Sequence, residues 1–125
     1  MASDPSIPLQ RSVFMATSAA VDAPVLHEVP QGQSLPFIKI GDDLIEAEFG
    51  AGEFYACTVN VHVFDRTAPK AKVLAAKVME ALAIDLPVSG YMTCESHYIQ
   101  TVFSTEPDGM TKRATLELLY LLQPA

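Results

Sequence analysis

The sequence is short of basic side chains, with 8 Lys and Arg against 15 Asp and Glu among its 125 residues. Its formal net charge is −7 at neutral pH, and its isoelectric point is about 4.7. DNA and RNA binding relies on basic contacts to phosphate, so this composition argues against a conventional nucleic-acid-binding domain. The same negative charge disfavours contact with anionic membrane surfaces.

Long apolar runs and export signals are also missing. No run approaches the roughly 20 apolar residues that a membrane-spanning helix requires. The first five residues, Met-Ala-Ser-Asp-Pro, form neither the basic nor the apolar part of a secretion signal. We therefore expect a soluble protein that is not exported. Its two cysteines, Cys57 and Cys94, are too few for a disulfide framework, and we expect reduced, mostly buried thiols.

The motifs of common enzyme sites are not found. The Gly-Ala-Gly run at residues 50–52 has no lysine or following helix, as a phosphate-binding loop would, and no serine sits in a nucleophile elbow. The pairs Cys57/His62 and Cys94/His97 resemble metal ligands. Their members are an odd number of positions apart, however, so in a strand they point to opposite faces. We expect no catalytic, cofactor or metal site.

An alternative stays open, because one cysteine and one histidine on neighbouring strands can still meet across a sheet. The chain would then be a small α+β enzyme or ligand-binding domain that uses a Cys/His cleft. An accessible cysteine with a low pKa would distinguish this alternative, since a reactive thiol needs thiolate character.

Half of the residues are hydrophobic and the mean hydropathy is +0.23, which excludes a disordered chain. Without repeats or linkers, residues 1–125 form one predicted domain. Hydrophobic periodicity, caps and turn signals predict helices over residues 5–20 and 68–83 and strands over residues 25–29, 36–40, 53–64, 91–104 and 112–123. Thr67 is the predicted N-cap of the second helix, and residues 106–109 form a predicted turn before the last strand. The strand over residues 53–64 alternates, with the odd-numbered residues from Tyr55 to Val63 on one face. Leucines on both faces of the last strand predict that it is covered on both sides. The order α-β-β-β-α-β-β predicts an α+β fold, an antiparallel-rich sheet with an N-terminal helix and a second helix packed on it.

One segment suggests an interface. Between Gly41 and Glu53 the chain carries acidic and apolar side chains but no lysine or arginine. It is either a solvated loop or strand extension, or an acidic arm that contacts another copy or another protein. A calcium loop is disfavoured, because the alternating oxygen ligands of that motif are missing. The predicted interface residues are Asp42, Asp43, Leu44, Ile45, Glu46, Glu48, Phe49 and Glu53.

Several motifs follow one another along the chain: VPQG at residues 29–32, LPFIKIG at 35–41, VNVHVF at 59–64 with Arg66 beyond, the Ala/Lys-rich helix at 68–82, and EPDGMT at 106–111 before the last strand. In this order and spacing they resemble the tail-completion or tail terminator proteins of long-tailed bacteriophages. Each motif alone has a composition that is common in turns or strands. Together they cover residues 26–122.

The resemblance implies a structural protein without catalytic groups. Members of this family form a ring, usually of six copies, that caps the head-proximal end of the tail tube. The ring stops polymerisation of the tube protein and contacts the head–tail connector or stopper protein, and DNA passes through its lumen without specific binding. The implied location is the neck of a virion or of a phage-like gene transfer agent, assembled in the host bacterial cytoplasm and without contact to a membrane.

Overall fold

The computed structural model describes residues 4–49 and 53–125, which form two helices and one five-stranded sheet. The elements are α1 (Ser6–Ala20), β1 (Val25–Leu26), β2 (Phe37–Phe49), β3 (Glu53–Asp65), α2 (Ala68–Leu82), β4 (Tyr91–Thr105) and β5 (Lys112–Pro124). The predicted order of elements and the α+β class are confirmed.

The sheet has the strand order β1-β2-β3-β5-β4. The short β1 runs parallel to β2, and every other pair of neighbours is antiparallel. Helix α1 packs on β1, β2 and α2, and α2 packs on β3 and β5. We call the side of the sheet that carries both helices the helix face. The opposite side, the open face, carries no helix among residues 4–49 and 53–125.

The core lies between the helices and the helix face. The alternation predicted for β3 is confirmed, and β5 repeats it. Each fully buried aliphatic side chain contributes about 1.5–3 kcal/mol relative to an exposed one. The buried hydrophobic residues of these two central strands are Cys57, Val59, Val61, Val63, Ala114, Leu116, Leu118, Tyr120 and Leu122.

Local hydrogen bonds set where α2 begins and ends. The Thr67 hydroxyl accepts from the backbone N–H of Lys70 at 3.3 Å, which confirms Thr67 as the N-cap. At the other end, the buried Tyr120 hydroxyl donates to the Leu82 carbonyl at 2.5 Å. This contact supplies a partner for an otherwise orphaned carbonyl and ties the helix to β5. Desolvation by burial raises the pKa of Tyr120, so the hydroxyl stays protonated and able to donate.

The predicted turn between β4 and β5 is also confirmed. The Gly109 N–H donates to the Glu106 carbonyl at 2.9 Å, and Gly109 has a φ of +73°, which a glycine adopts without strain. The Asp108 carboxylate accepts from the backbone N–H groups of Met110 and Thr111, each at 2.8 Å. Hydrogen bonds from Thr111 lower the pKa of this carboxyl group.

Two predicted strands have different lengths in the structure. The first was expected to reach residue 29, but β1 ends at Leu26, and the His27 ring instead stacks on Phe14 of α1 at 4.8 Å. The second was expected to end at Ile40, just before Gly41, but β2 continues to Phe49. A register shift after Ile40 marks a bulge that absorbs the glycine, so the strand resumes beyond it.

The expectation that β5 is covered on both sides is wrong. Leu119 and Leu121 point to the open face and are only half-buried. Their shielding comes from side chains on the neighbouring strands, because no described helix reaches that face. The leucines were therefore a signal of a central strand and not of a second helical layer.

Candidate assembly interface

The predicted interface segment is the end of the β2–β3 hairpin. We call residues 42–49 together with Glu53 the acidic hairpin. Strand β1 pairs with β2 only at Ile38 and Lys39, so the outer edge of β2 beyond Lys39 has no strand partner in the described part of the chain. An unpaired strand edge offers its N–H and C=O groups to another strand.

Side chains of the acidic hairpin alternate between the two faces. Asp43 and Ile45 belong to the helix face, whereas Leu44, Glu46 and Glu48 belong to the open face. Ile45 is partly buried and packs against the core of its own chain. The structure exposes the other predicted residues, Asp42, Asp43, Leu44, Glu46, Glu48 and Glu53, while the side chain of Phe49 lies outside the described part.

The charge of the acidic hairpin is not compensated by the described residues. No Lys or Arg lies within salt-bridge distance of its carboxylates across residues 4–49 and 53–125. Burial raises the pKa of Asp43, a hydrogen bond from its own backbone opposes this, and the nearby charges of Asp4 and Asp42 add to the increase. A carboxylate in these surroundings gains from a cation that a partner brings.

Basic residues gather at the opposite end of the sheet. At this end Lys112 of β5 lies opposite Asp65 of β3 and Thr105 of β4 in the strand register, far from the β2–β3 connection. Five of the eight basic residues belong to this basic end, which comprises Arg66, Lys70, Lys72, Lys112 and Arg113. Arg113 is bound to Glu106 at 3.2 Å, whereas Lys70, Lys72 and Lys112 have no carboxylate within 4.0 Å among the described residues. The chain is therefore acidic at one end, whereas most of its basic residues lie at the other end together with Asp65, Glu106 and Asp108.

The edge strand β4 is a second exposed surface, which the sequence analysis did not single out. Five of the twelve exposed large hydrophobic side chains among the described residues lie on it: Met92, Tyr98, Ile99, Val102 and Phe103. Its outer edge has no strand partner in the described sheet. The sequence does contain a signal for this surface, because β4 has apolar residues at both odd and even positions and few charges. A long apolar edge is an aggregation hazard unless a partner covers it.

A groove separates β4 from α2. On α2 it is lined by Lys72, Ala76 and Met79, and on β4 by Tyr98, Thr101 and Phe103. The Lys72 ammonium lies 5.4 Å from the centre of the Phe103 ring, within cation–π range. Alanines on this side of α2 are too small to reach the strand, which keeps the groove open. We call it the α2–β4 groove.

The cysteines and histidines do not form a cleft. Cys57 is buried on the helix face, while His62 of the same strand points to the open face, where its Nδ1 lies 2.9 Å from Thr115 Oγ1. Burial lowers the pKa of His62, with further lowering by Arg113 and Lys39. Cys94 and His97 are exposed on β4. In the described part of the chain, no three His, Cys, Asp or Glu side chains are grouped as metal ligands.

The two thiols differ in environment, and the expectation that both are mostly buried is wrong for Cys94. Desolvation raises the pKa of Cys57 to about 12, so this thiol stays protonated at neutral pH. Cys94 is exposed because the β4 register shifts between Thr93 and Glu95, at the sheet edge.

We expect a thiol reagent to label Cys94 in the folded protein at least about a hundredfold faster than Cys57, because a buried, protonated thiol reacts only after local opening. Stopped-flow labelling at pH 8 measures both phases. The Cys94→Ser variant is the control and should lose the fast phase. A fast phase that persists in this variant would contradict the burial of Cys57 and revive the Cys/His alternative.

No helix among the described residues is long and apolar enough to cross a bilayer.

The sequence matches no protein-family model and no curated protein. The fold is similar to that of a chain in a solved structure of the virion of a native gene transfer agent particle. The TM-score is 0.82 at 18% identity, and the match covers 97% of this chain and 98% of the other. At this identity the likeness shows a shared fold, which extends over almost the whole of both chains.

Proposed function

We propose that this chain is a tail terminator, a structural protein that forms a ring on the head-proximal end of a tail tube. The observation that carries the proposal is the end-to-end likeness in fold to a chain of a gene transfer agent virion. Because a shared fold alone does not define a function, the ordered motifs between residues 26 and 122 add the specific role. In this role the ring stops tube polymerisation and offers a surface to the head–tail connector or stopper protein.

The surfaces of the chain support a closed ring. Rings arise when two different patches of one subunit meet head to tail and the rotation closes. The acidic hairpin and β4 are two such patches, located at opposite edges of one sheet. We propose six copies, as the resemblance implies, located at the neck of a phage or a gene transfer agent and assembled in the bacterial cytoplasm.

The net charge suits a channel through which DNA passes. Six copies, each with a charge of −7, carry −42. If much of this charge faces the lumen, it repels phosphate, so DNA would move through the ring without binding to it. The partners in this proposal are the chain itself, the tail tube protein and the head–tail connector, with no membrane and no cofactor.

Native mass spectrometry over a concentration series tests the ring, together with negative-stain images. We expect a species of six times 13.5 kDa, about 81 kDa, with six-fold symmetry. The protein is then added to tail tubes assembled from the tube protein of the same genome, and we expect a cap at one end and no further growth there. A protein that is monomeric at every concentration and leaves the tubes uncapped would contradict the proposed function.

A further inference from the structure

The two free strand edges of the sheet have complementary properties. The edge of β2 belongs to the acidic hairpin, whose carboxylates have no lysine or arginine within 4.0 Å in the described ranges. The edge of β4 lies beside the α2–β4 groove, where Lys72 has no carboxylate partner among the described residues. The two edges therefore carry opposite charges, carboxylates beside β2 and an ammonium group beside β4. Both also present unpaired backbone N–H and C=O groups that can bond to each other.

The directions of the strands allow the two edges to pair. Along the sheet the order β2, β3, β5, β4 alternates in direction, so β4 runs opposite to β2. Rotation about a ring axis preserves the direction of each strand relative to that axis. The β2 strand of one copy would therefore meet the β4 strand of the next in the antiparallel sense, which suits regular hydrogen bonding.

We propose that the free edge of β2 in one copy pairs with β4 of the next copy, in a register that brings Asp43 opposite Phe103 and beside Lys72 of the α2–β4 groove. This inference rests on the proposed ring and adds its subunit contact. In this register Leu44 lies opposite Val102. Both are apolar side chains of the open face, 55% and 51% exposed in the single chain, and they would cover each other.

The faces of both strands agree with this register. Asp43 and Phe103 belong to the helix face of their own sheets, and Leu44 and Val102 belong to the open face. Antiparallel neighbours share a face, so a shift by a single residue would place Leu44 on the side that carries the lysine and Asp43 on the opposite side. A shift by two residues keeps the faces but places Leu44 opposite the polar Gln100 or Ser104, so the contact between Leu44 and Val102 selects this register.

The register also has a stagger that a closed sheet can accept. Within one chain Asp43 lies opposite Val59, Val59 opposite Leu118, and Leu118 opposite Tyr98, so Asp43 and Tyr98 are at the same height in the sheet. Pairing Asp43 with Phe103 of the next copy therefore offsets the two copies along the strands by the distance from Tyr98 to Phe103. This distance corresponds to four residues of β5, from Leu118 to Ala114. This is about 13 Å along the strands, against about 19 Å across the four strands of one copy. The resulting tilt of about 35° falls within the range seen in closed sheets.

A charge exchange tests the contact between Asp43 and Lys72. We expect Lys72→Glu to weaken self-association about a hundredfold, because a carboxylate would then face a carboxylate. The double variant Asp43→Lys with Lys72→Glu should recover most of this loss. Lys77→Glu is the matched control, since it makes the same charge change on the same helix and lies outside the α2–β4 groove. Analytical ultracentrifugation measures association, and tube capping is scored in parallel.

Cross-linking tests the register itself. In a Cys94→Ser background, Leu44→Cys combined with Val102→Cys should give covalent oligomers up to the full ring on oxidation, seen on non-reducing denaturing gels. Each single variant should give no ladder. Equal ladders from single and double variants, or full assembly by Lys72→Glu while the wild type forms rings, would overturn this contact and leave the proposed function intact. A wild type that neither assembles nor caps tubes would overturn both.

Discussion

Replacement of Asp42, Asp43, Glu46 and Glu48 by lysine is expected to abolish assembly while each subunit still folds. All four side chains are exposed, and none has an ion-pair partner among the described residues, so the single chain loses little. The subunit charge changes from −7 to +1, and the former acidic hairpin then repels the basic end of the next copy. We expect association at least about a hundredfold weaker by native mass spectrometry, and particles without completed tails.

Four acidic residues outside the hairpin provide a control with the same change in net charge. These are Asp22, Glu28, Glu80 and Asp85, all exposed. Their replacement by lysine should leave the ring and the tails in place if the location of the charge matters more than its sum. Circular dichroism of both variants checks the fold. Normal particle yield and normal infection or transduction with the hairpin variant would contradict a role of these residues in assembly and DNA passage.

Gly41→Ala is expected to destabilise the subunit by about 2–3 kcal/mol, since overpacking at a rigid site costs this much. A Cβ atom at Gly41 would lie 2.6 Å from His62 Nε2 and 2.8 Å from the carbonyl oxygen of Asn60. The ring of His62 is held by Thr115, and the carbonyl belongs to the backbone of β3, so neither moves without cost. Urea unfolding followed by circular dichroism measures the loss as a lower midpoint with an unchanged slope.

Two further variants separate the causes of this loss. Gly32→Ala is the control, because Gly32 has no atom within 4 Å of a new Cβ, and only its φ of +80° would cost about 1 kcal/mol. Gly41→Ala combined with His62→Ala should destabilise the subunit by less than the sum of the two single variants, since the ring contact is gone and only the carbonyl contact remains. Wild-type stability of Gly41→Ala would show that β2 can shift at its bulge.

The acidic hairpin and Gly41 are linked through the shape of β2. The bulge after Ile40 lets the strand continue beyond the glycine, and the free edge of the acidic hairpin depends on that continuation. A chain that ended its strand at Gly41 would present the same carboxylates on a loop without an ordered edge. A disturbed bulge should therefore weaken assembly as well as the fold, which distinguishes Gly41→Ala from Gly32→Ala in the assembly assay.

The sequence by itself determined the elements whose signals are local. Thr67 caps α2 because its hydroxyl reaches a backbone N–H three residues on, and Gly109 closes a turn because it adopts a positive φ. The period-two pattern of β3 assigned its buried face, and this alternation needs no knowledge of the partner strand. The acidic segment was visible as composition alone, and six of its eight predicted interface residues are exposed.

Only the tertiary structure decided which strands are edges and what lies next to them. β4 and β5 have similar apolar content, yet β5 is central and β4 is exposed, because strand order depends on pairing between distant segments. The same holds for Ile45, which looked available beside Leu44 but packs on its own core. The α2–β4 groove and its Lys72 arise because α2 packs over β3 and β5 and leaves the edge strand uncovered. Helix position and strand order are set by the packing of the whole core, which no local pattern encodes.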